Sequence, residues 1–456
     1  MLVLTIVSLM IPATFSIGSL TMTPSRAVLL VLTPILFLSL LGGRFGKLTH
    51  VDVLVILYIF WRSLTPFINN PKMALEYVGS NSVIFFGGYL VARAAVRDAD
   101  DFRFFAKALG SLVILTFPFA LYESITGRMV IPPLLDRIPG ITSVADVNYP
   151  RRLGLDRAQV VFVHPIHYGI FCSLALSIYF MALKGVVSSF RRWAGSALIF
   201  VCAFLSISSG AFLASVVQIF LVIYGYLFRR VERRWLLFGV GLTLFYTVIE
   251  LGSNRNGLVA LLSILSFSAS TAYGRLTIFD AGMAQIVQTP IFGAGFVRLN
   301  LPSWMTGSLD NFWLGLAVIF GIPAFLFLFG AVLAALIGIG RRRFEVDGAL
   351  ANIRLGWSVM LISVTLSLAT VYIWSEIASM VMLAIGSGVF LLNAQEAATG
   401  AEPAAQTAPA PRRLSYSRFA PERERRPQQP ERQGRRPAQG PQVAEPPQRG
   451  RARKPS

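Results

Sequence analysis

The sequence predicts an all-α integral membrane protein that crosses the bilayer many times. Of its 456 residues, 55% are hydrophobic and only 14% are charged, whereas an ordinary soluble domain carries about 25% charged residues. Apolar runs recur along most of the chain, and many approach the length of about 20 residues that crosses a bilayer. This composition excludes a soluble enzyme, a disordered regulator and a small secreted protein held by disulfides.

About twelve runs satisfy the length of a transmembrane helix. In lipid each must be helical, because its backbone N–H and C=O groups have no water to bind. A transmembrane barrel is excluded, because the apolar runs are continuous and do not alternate. The predicted spans lie near residues 2–20, 27–43, 51–66, 78–95, 107–125, 159–183, 193–208, 210–228, 235–251, 312–339, 351–371 and 375–393.

Basic residues in the short loops predict how the chain is oriented. When the N-terminus is placed in the cytoplasm, each predicted inner loop carries Lys or Arg close to a span. The predicted outer turns at 21–26, 207–209 and 372–374 are nearly free of charge. We therefore expect both termini in the cytoplasm. We also expect the run 2–20 to remain as a span, because it contains no convincing cleavage site.

This topology divides the chain into a membrane domain and a tail. The membrane domain is predicted over 1–394, with two long outer loops at 126–158 and 252–311 that carry enough apolar residues to pack against it. Residues 395–456 are rich in Pro, Ala, Gln and Arg, which predicts a disordered cytoplasmic segment. The net charge of +19 is thus shared among the inner loops, the tail and a few outer arginines.

The sequence offers no motif for nucleotide hydrolysis or metal binding. It contains no P-loop, no HExxH, no CxxC and no carboxylates at metal-ligand spacing. Cys172 and Cys202 lie in apolar runs and are expected to be small buried hydrophobic residues. The arginines of the tail lack the interleaved aromatic residues of a nucleic-acid-binding segment. We therefore expect no metal, no cofactor and no nucleic-acid partner.

The outer loop before the sixth predicted span is rich in groups that bind anions. Arg152 and Arg157 lie just above the predicted membrane face, where the planar donor fork of arginine suits a phosphate or pyrophosphate. His164 and His167 stand about one helical turn apart, on one face of the following helix. The alternatives are that the arginines contact lipid headgroups or balance nearby aspartates, and that the histidines are structural.

Further candidates lie in the second outer loop and at the outer ends of spans. Arg255 precedes a predicted amphipathic helix that contains Arg275, and a surface pair with Asp280 is the alternative role for Arg275. Asp310 stands at the entry to a span, where an aspartate is either an N-cap or a general base. Glu123, at the outer end of the fifth span, is either another base or a solvated surface acid.

Short motifs in the second half of the chain resemble the O-antigen ligase and polymerase superfamily. The Gly274-Arg275 helix, the Pro290-x-x-Gly293-x-Gly295 turn and Asp310-Asn311 followed by Gly321 are similar to its periplasmic signature. Asp310 stands where the family has His, and Ala324 stands where it has a second Gly.

Two other segments extend the resemblance. Residues 206–211 are similar to the family's Ser-Arg-Gly-Ala step between two spans, with Ser209 in place of the Arg. The stretch from Arg152 to Gly169, and Tyr122-Glu123 with Thr126-Gly127, resemble the exopolysaccharide-polymerase branch.

The resemblance implies a glycosyltransferase that needs neither metal nor ATP. Its substrates would be glycans on undecaprenyl pyrophosphate, at the periplasmic face of a bacterial inner membrane. Since the His that Asp310 replaces is the proposed base of the ligases, the resemblance favours polymerisation of exopolysaccharide or O-antigen repeats. An O-antigen ligase acting on lipid A core is the first alternative, and a polysaccharide or lipid transporter is the alternative of another class. Membrane lipids and other polysaccharide assembly proteins, including a chain-length regulator, are the further partners considered.

The resemblance also assigns roles to individual residues. Asp310 is the first choice for the base that takes the acceptor proton, and Glu123 or His167 are the alternatives. Pyrophosphate binding is assigned to Arg157, Arg275 and Arg152. The remaining predicted substrate-binding residues are His164, Arg255 and Asn311.

Overall fold

The computed structural model describes residues 1–18, 20–147, 150–252, 269–296 and 309–395. The described chain is mostly helical, and eight of its helices are long and apolar enough to cross a membrane. They cover Pro24–Leu41, His50–Asn69, Ala99–Thr126, Pro165–Ala182, Ser209–Leu227, Ile322–Gly340, Ala349–Ser367 and Ser375–Leu392. The predicted all-α, many-span class is confirmed, and the count of about twelve spans is not.

The helices are labelled in chain order. They are α1 (Leu2–Met10), α2 (Pro24–Leu41), α3 (His50–Asn69), α4 (Pro71–Tyr77), α5 (Val83–Ala95), α6 (Ala99–Thr126), α7 (Ile131–Leu135), α8 (Pro165–Ala182), α9 (Ser189–Leu205), α10 (Ser209–Leu227), α11 (Arg234–Gly252), α12 (Ala269–Gln288), α13 (Phe312–Phe320), α14 (Ile322–Gly340), α15 (Ala349–Ser367) and α16 (Ser375–Ser387). A π-helical turn, Val78–Ser82, joins α4 to α5, and a 3-10 turn, Val389–Leu392, follows α16.

The prediction of a first span over 2–20 is wrong. Helix α1 ends at Met10, before Pro12, and the chain continues as strand β1 (Ala13–Ile17) and strand β2 (Leu20–Met22). Strand β1 also pairs antiparallel with strand β3 (Ile141–Ser143) of the first predicted outer loop, so that the sheet order is β2-β1-β3. The β-branched and aromatic residues of this run favour strands, but its high hydropathy led to the prediction of a transmembrane helix.

The predicted span 312–339 is also not one helix. It is broken at Gly321 into α13, of 9 residues, and α14, of 19 residues. Helix α13 is too short to cross a bilayer, because it rises about 1.5 Å per residue. Three more predicted spans fall short of eighteen apolar helical residues, since α5 has 13, α9 has 17 and the apolar part of α11 is Arg234–Val248.

The core of the bundle is built around α8 and α16. In these two spans, 89% and 83% of the residues are buried within the protein, whereas the other spans are 28% to 44% buried. Helix α16 packs on α5, and α8 packs on α15 and α9. The remaining spans therefore enclose two central helices and turn apolar side chains outward, as lipid contact requires.

The two ends of the bundle differ in chemistry. At one end a buried ion pair joins Arg93 of α5 to Asp52 of α3, with 2.8 Å between Nε and Oδ1. At the other end, which we call the site end, the backbone N–H of Phe312 donates to the carbonyls of Leu368 and Val371 just after α15. The predicted site residues of the described chain gather at this end. Three parts of the sequence lie outside the described residues, namely the tail beyond residue 395, Arg255 and most of the apolar stretch 257–269.

Candidate functional site

A cluster of charged groups forms at the site end from three distant parts of the sequence. His164 interacts electrostatically with Arg157 and Arg152. Arg275, on α12, interacts with Asp310 and Arg152. We call these five residues the arginine cluster. The fold therefore brings together the loop before α8, the helix α12 and the residue that precedes Asn311.

The loop that carries Arg152 and Arg157 is held to the bundle through its backbone. Arg152 and Leu155 exchange N–H···O=C hydrogen bonds of 3.0 Å in both directions, which close a tight turn. The N–H of Ala158 donates to the carbonyl of Leu205 at 3.0 Å, and Nη1 of Arg152 donates to the carbonyl of Ile207 at 3.3 Å. The loop is thus anchored to the segment between α9 and α10, where the sequence resembles the family's Ser-Arg-Gly-Ala step.

Glu123 holds the same loop through hydrogen bonds to the loop backbone. Its side chain is only 4% exposed, and its two carboxylate oxygens accept hydrogen bonds from the N–H groups of Gln159 at 2.9 Å and Val160 at 2.8 Å. Val160 has a φ of 56°, a left-handed conformation that is strained for a β-branched residue. Both oxygens of Glu123 are therefore engaged in holding a strained turn four residues before His164.

His164 is a neutral hydrogen-bond donor at physiological pH. It is the N-cap of α8, and its Nδ1 accepts the N–H of Ile166 at 3.0 Å. Burial, followed by the positive charges of Arg157 and Arg152, lowers the pKa of His164 to about 4. Since Nδ1 accepts a hydrogen bond, the single ring proton of the neutral form is on Nε2.

His167 is more deeply buried than His164 and packs on an aromatic residue. It is 1% exposed, its ring centroid lies 4.0 Å from that of Trp374, and none of the described residues binds its Nε2. The His164 ring lies 6.0 Å from Trp374, whose indole stacks on Tyr372 at 6.3 Å. We did not predict Trp374 and Tyr372 from the sequence, although two aromatic residues in a charge-free outer turn were a usable signal.

Asp310 and Asn311 have different roles despite being neighbours. Asn311 is the N-cap of α13, and its Oδ1 accepts the N–H of Leu314 at 3.0 Å. This leaves Asp310 outside the cap, half-buried and interacting with Arg275. The alternative in which Asp310 caps the helix is therefore wrong, whereas the base role of Asp310 and the substrate-binding role of Asn311 stay predictions.

The glycine motifs of the second half form a backbone structure that we call the glycine clasp, residues 290–295 paired with 318–322. Ala294 N–H donates to the Val318 carbonyl at 2.7 Å, and Ile322 N–H donates to the Pro290 carbonyl at 2.8 Å. Gly321 has a φ of 86°, and a Cβ there would collide with the carbonyl of Ile291. Glycine is therefore required by this close approach of two backbones.

The electrostatics of the arginine cluster favour an anion. Burial, as the largest cause, and the like charge of Arg152 lower the pKa of Arg275, while Asp310 opposes that shift. An arginine stays protonated under these conditions, so the cluster contains three cations. Exposed Arg151 of the same loop forms an ion pair with Asp156, at 2.8 Å between Nη2 and Oδ2. Within the described ranges, no group of three His, Cys, Asp or Glu side chains lies close enough to hold a metal ion.

Comparison with known families supports the resemblance. A family model described as O-antigen ligase matches residues 194–329, a range that includes Arg275, Asp310, Asn311 and the glycine clasp. No curated protein gives a significant match to the chain. The loop that carries Arg152, Arg157 and His164 lies before the matched range. The match over residues 194–329 supports the predicted O-antigen ligase and polymerase superfamily and an activity of the glycosyl-transfer type, and the apolar helices support a multi-pass membrane protein.

Proposed function

We propose that this protein polymerises oligosaccharide repeats carried on undecaprenyl pyrophosphate, at the periplasmic face of a bacterial inner membrane, into exopolysaccharide or O-antigen. The observation that carries the proposal is the arginine cluster, which brings Arg152, Arg157 and Arg275 together with His164 and Asp310 at the site end. A pyrophosphate is opposite in charge to these arginines, and arginine binds it through paired N–H donors. Both chain termini then lie in the cytoplasm.

In this mechanism the arginine cluster acts on the leaving group. The bond between the anomeric carbon and the phosphate oxygen breaks, and its electron pair moves to the pyrophosphate. The three arginines and the Nε2–H of His164 stabilise that growing charge. A hydroxyl of the second lipid-linked repeat forms the new glycosidic bond, and its proton passes to Asp310. Undecaprenyl pyrophosphate leaves, and the chain is one repeat longer.

The test compares two arginines from the same end of the bundle. Arg275→Ala removes a half-buried member of the cluster, whereas Arg151→Ala removes an exposed arginine that is paired with Asp156. In a strain that lacks the chromosomal copy, we expect Arg275→Ala to lower polymerisation about 100-fold or more, the loss typical of a missing oxyanion donor. Arg151→Ala should preserve chain length. Both variants are checked for membrane insertion by immunoblot, and long glycans from Arg275→Ala would reject the proposal.

A ligase is the second candidate, because the matching family model is described as O-antigen ligase. The two functions differ in what accumulates when the gene is deleted. Lipid-linked single repeats indicate a lost polymerase, and long lipid-linked chains indicate a lost ligase. Formation of glycosidic bonds by the purified protein in detergent would exclude a pure transporter.

A further inference from the structure

A second buried arginine environment lies beside the glycine clasp. Arg62 of α3 is 5% exposed, and it donates from Nη1 to the hydroxyl of Tyr58 at 2.9 Å and from Nη2 to that of Tyr77 at 2.6 Å. Its guanidinium carbon lies 3.9 Å from the centroid of the Phe85 ring and 4.7 Å from that of Phe320. We call these five residues the Arg62 cage.

The cage holds a cation without a carboxylate. No Asp or Glu side chain in the described part of the chain pairs with Arg62. The stretches 253–268 and 297–308, which lie outside the described residues, contain no acidic residue at all. Aromatic faces orient the guanidinium but carry no net negative charge.

Arg93 shows how the same chain compensates a buried arginine elsewhere. Arg93 is 4% exposed, as buried as Arg62, and it contacts both carboxylate oxygens of Asp52 at 2.8 and 3.1 Å. Tyr89 donates to the same carboxylate at 2.6 Å. A buried charge without such a partner costs several kcal/mol, and in membrane proteins such charges mark binding sites.

The hydrogen-bond inventory of the cage leaves donors for an anion. A guanidinium only donates, so the hydroxyls of Tyr58 and Tyr77 accept from Arg62 and each keeps its own hydrogen. None of the described residues accepts a hydrogen bond from Nε of Arg62. Two O–H groups and three of the five guanidinium N–H groups, including that of Nε, therefore remain around one positive charge, which is the donor set of a phosphate site.

The cage is continuous with the arginine cluster. Tyr372 lies close enough to Arg62 for an electrostatic interaction, and it stacks on Trp374, which contacts both His164 and His167. On the other side, the Tyr77 ring lies 4.5 Å from Phe296, directly after the glycine clasp. Tyr77 as a whole residue is half-buried, so this side of the cage lies near the protein surface.

We propose that the Arg62 cage is a second phosphate-binding site, which holds the phosphate group of a lipid-linked substrate. This inference rests on the proposed function, because a polymerase must bind two diphosphate-bearing lipids in one reaction. The phosphate comes either from the donor or from the acceptor, and the experiments below separate the two sources.

The first experiment measures binding of inorganic pyrophosphate to the full chain in detergent, as the ligand-dependent rise in Tm. Tyr77→Phe removes one hydroxyl and keeps the ring, and Arg62→Gln removes the charge. The matched control is Tyr89→Phe, which removes a tyrosine hydroxyl beside the compensated Arg93. Measurements in an Arg275→Ala background reduce the contribution of the arginine cluster to the measured binding.

We expect Tyr77→Phe and Arg62→Gln to weaken pyrophosphate binding about tenfold or more, the loss typical of a hydrogen bond to a charged group. Tyr89→Phe should leave it unchanged. If neither Tyr77→Phe nor Arg62→Gln changes binding, the cage is structural and the inference is overturned. Failure of the proposed function would appear separately, as unaltered polymerisation by Arg275→Ala. Tyr77→Phe keeps the test decisive if Arg62→Gln fails to fold.

The second experiment identifies the source of the phosphate. A donor that is blocked at its accepting hydroxyl is paired either with the natural acceptor or with a neutral alkyl glycoside. If the cage binds the acceptor, Tyr77→Phe raises KM for the natural acceptor and leaves KM for the alkyl glycoside unchanged. If it binds the donor, KM for the donor rises with either acceptor. Unchanged KM for both substrates overturns the inference.

Discussion

Replacement of Glu123 tests whether this residue is a general base or holds the backbone of a loop. As an isolated acid at the outer end of a span it was a candidate base. The structure instead has its two oxygens accepting the N–H groups of Gln159 and Val160, at 2.9 and 2.8 Å. We expect Glu123 to position the loop that carries Arg157 and His164, and not to exchange protons with the substrate.

The expected loss of stability follows from those two bonds. A hydrogen bond contributes about 0.5 to 3 kcal/mol, the range from a neutral to a charged acceptor, so Glu123→Ala should lower the free energy of unfolding by about 1 to 6 kcal/mol. Glu123→Gln keeps one accepting oxygen and turns an amide N–H₂ toward the other backbone N–H. Its loss should therefore be about half as large.

The assay combines thermal unfolding in detergent with steady-state polymerisation kinetics. We expect Tm to fall in the order wild type, Glu123→Gln, Glu123→Ala, and kcat to fall only as the loop loses its geometry. Glu76→Gln, at an exposed position on α4, is the control and should change neither quantity. If Glu123→Gln keeps the wild-type Tm but loses about 100-fold or more in kcat, the size of a lost general base, our reasoning is refuted.

Three other substitutions test separate features. Gly321→Ala should lower Tm markedly, because its φ of 86° and the adjacent Ile291 carbonyl exclude a side chain; an unchanged Tm would contradict the glycine clasp. For His164, the unfolded imidazole gains a proton near its ordinary pKa of 6.5 while the folded one resists until about pH 4. The free energy of unfolding should therefore fall as pH falls from about 6.5 to about 4. His164→Asn keeps an N-cap residue but has no titrating group, so it should abolish the contribution of His164 to the pH dependence of unfolding. Arg93→Met should cost about 3 to 5 kcal/mol in the same assay, because it leaves buried Asp52 unpaired; a change below about 1 kcal/mol would show that the ion pair is dispensable.

Most spans were predictable because lipid imposes one solution on a long apolar run. The span predictions failed where an apolar run does not form one continuous helix, because hydropathy does not report backbone conformation. The run 2–20 is apolar throughout, but Pro12 and the β-forming residues after it end the helix at Met10. The run 312–339 is apolar too, and it breaks at Gly321, where Pro323 follows and the backbone contacts a loop some thirty residues earlier.

The types of residue that gather at the candidate site were predictable from the sequence, whereas the contacts of each residue were not. Runs of Arg and His near an outer face indicate anion chemistry from the sequence alone. Whether Asp310 or Asn311 caps α13, and whether Glu123 binds substrate or backbone, depends on atoms that folding brings from other segments. Arg62 gave no local signal, because an arginine near a span end is ordinarily solvated.

The glycine clasp also has an evolutionary consequence. It fixes the chain up to Phe296, whose N–H is held by Asn70, and Asn311 fixes it again at the start of α13. The described chain is thus held on both sides of positions 297–308. Since doubling the length of a closed loop costs only about 0.6 kcal/mol, we expect insertions at these positions to be tolerated without displacing Arg275 or Asp310. Glycan preference can then diverge among relatives while the chemistry of bond formation stays the same.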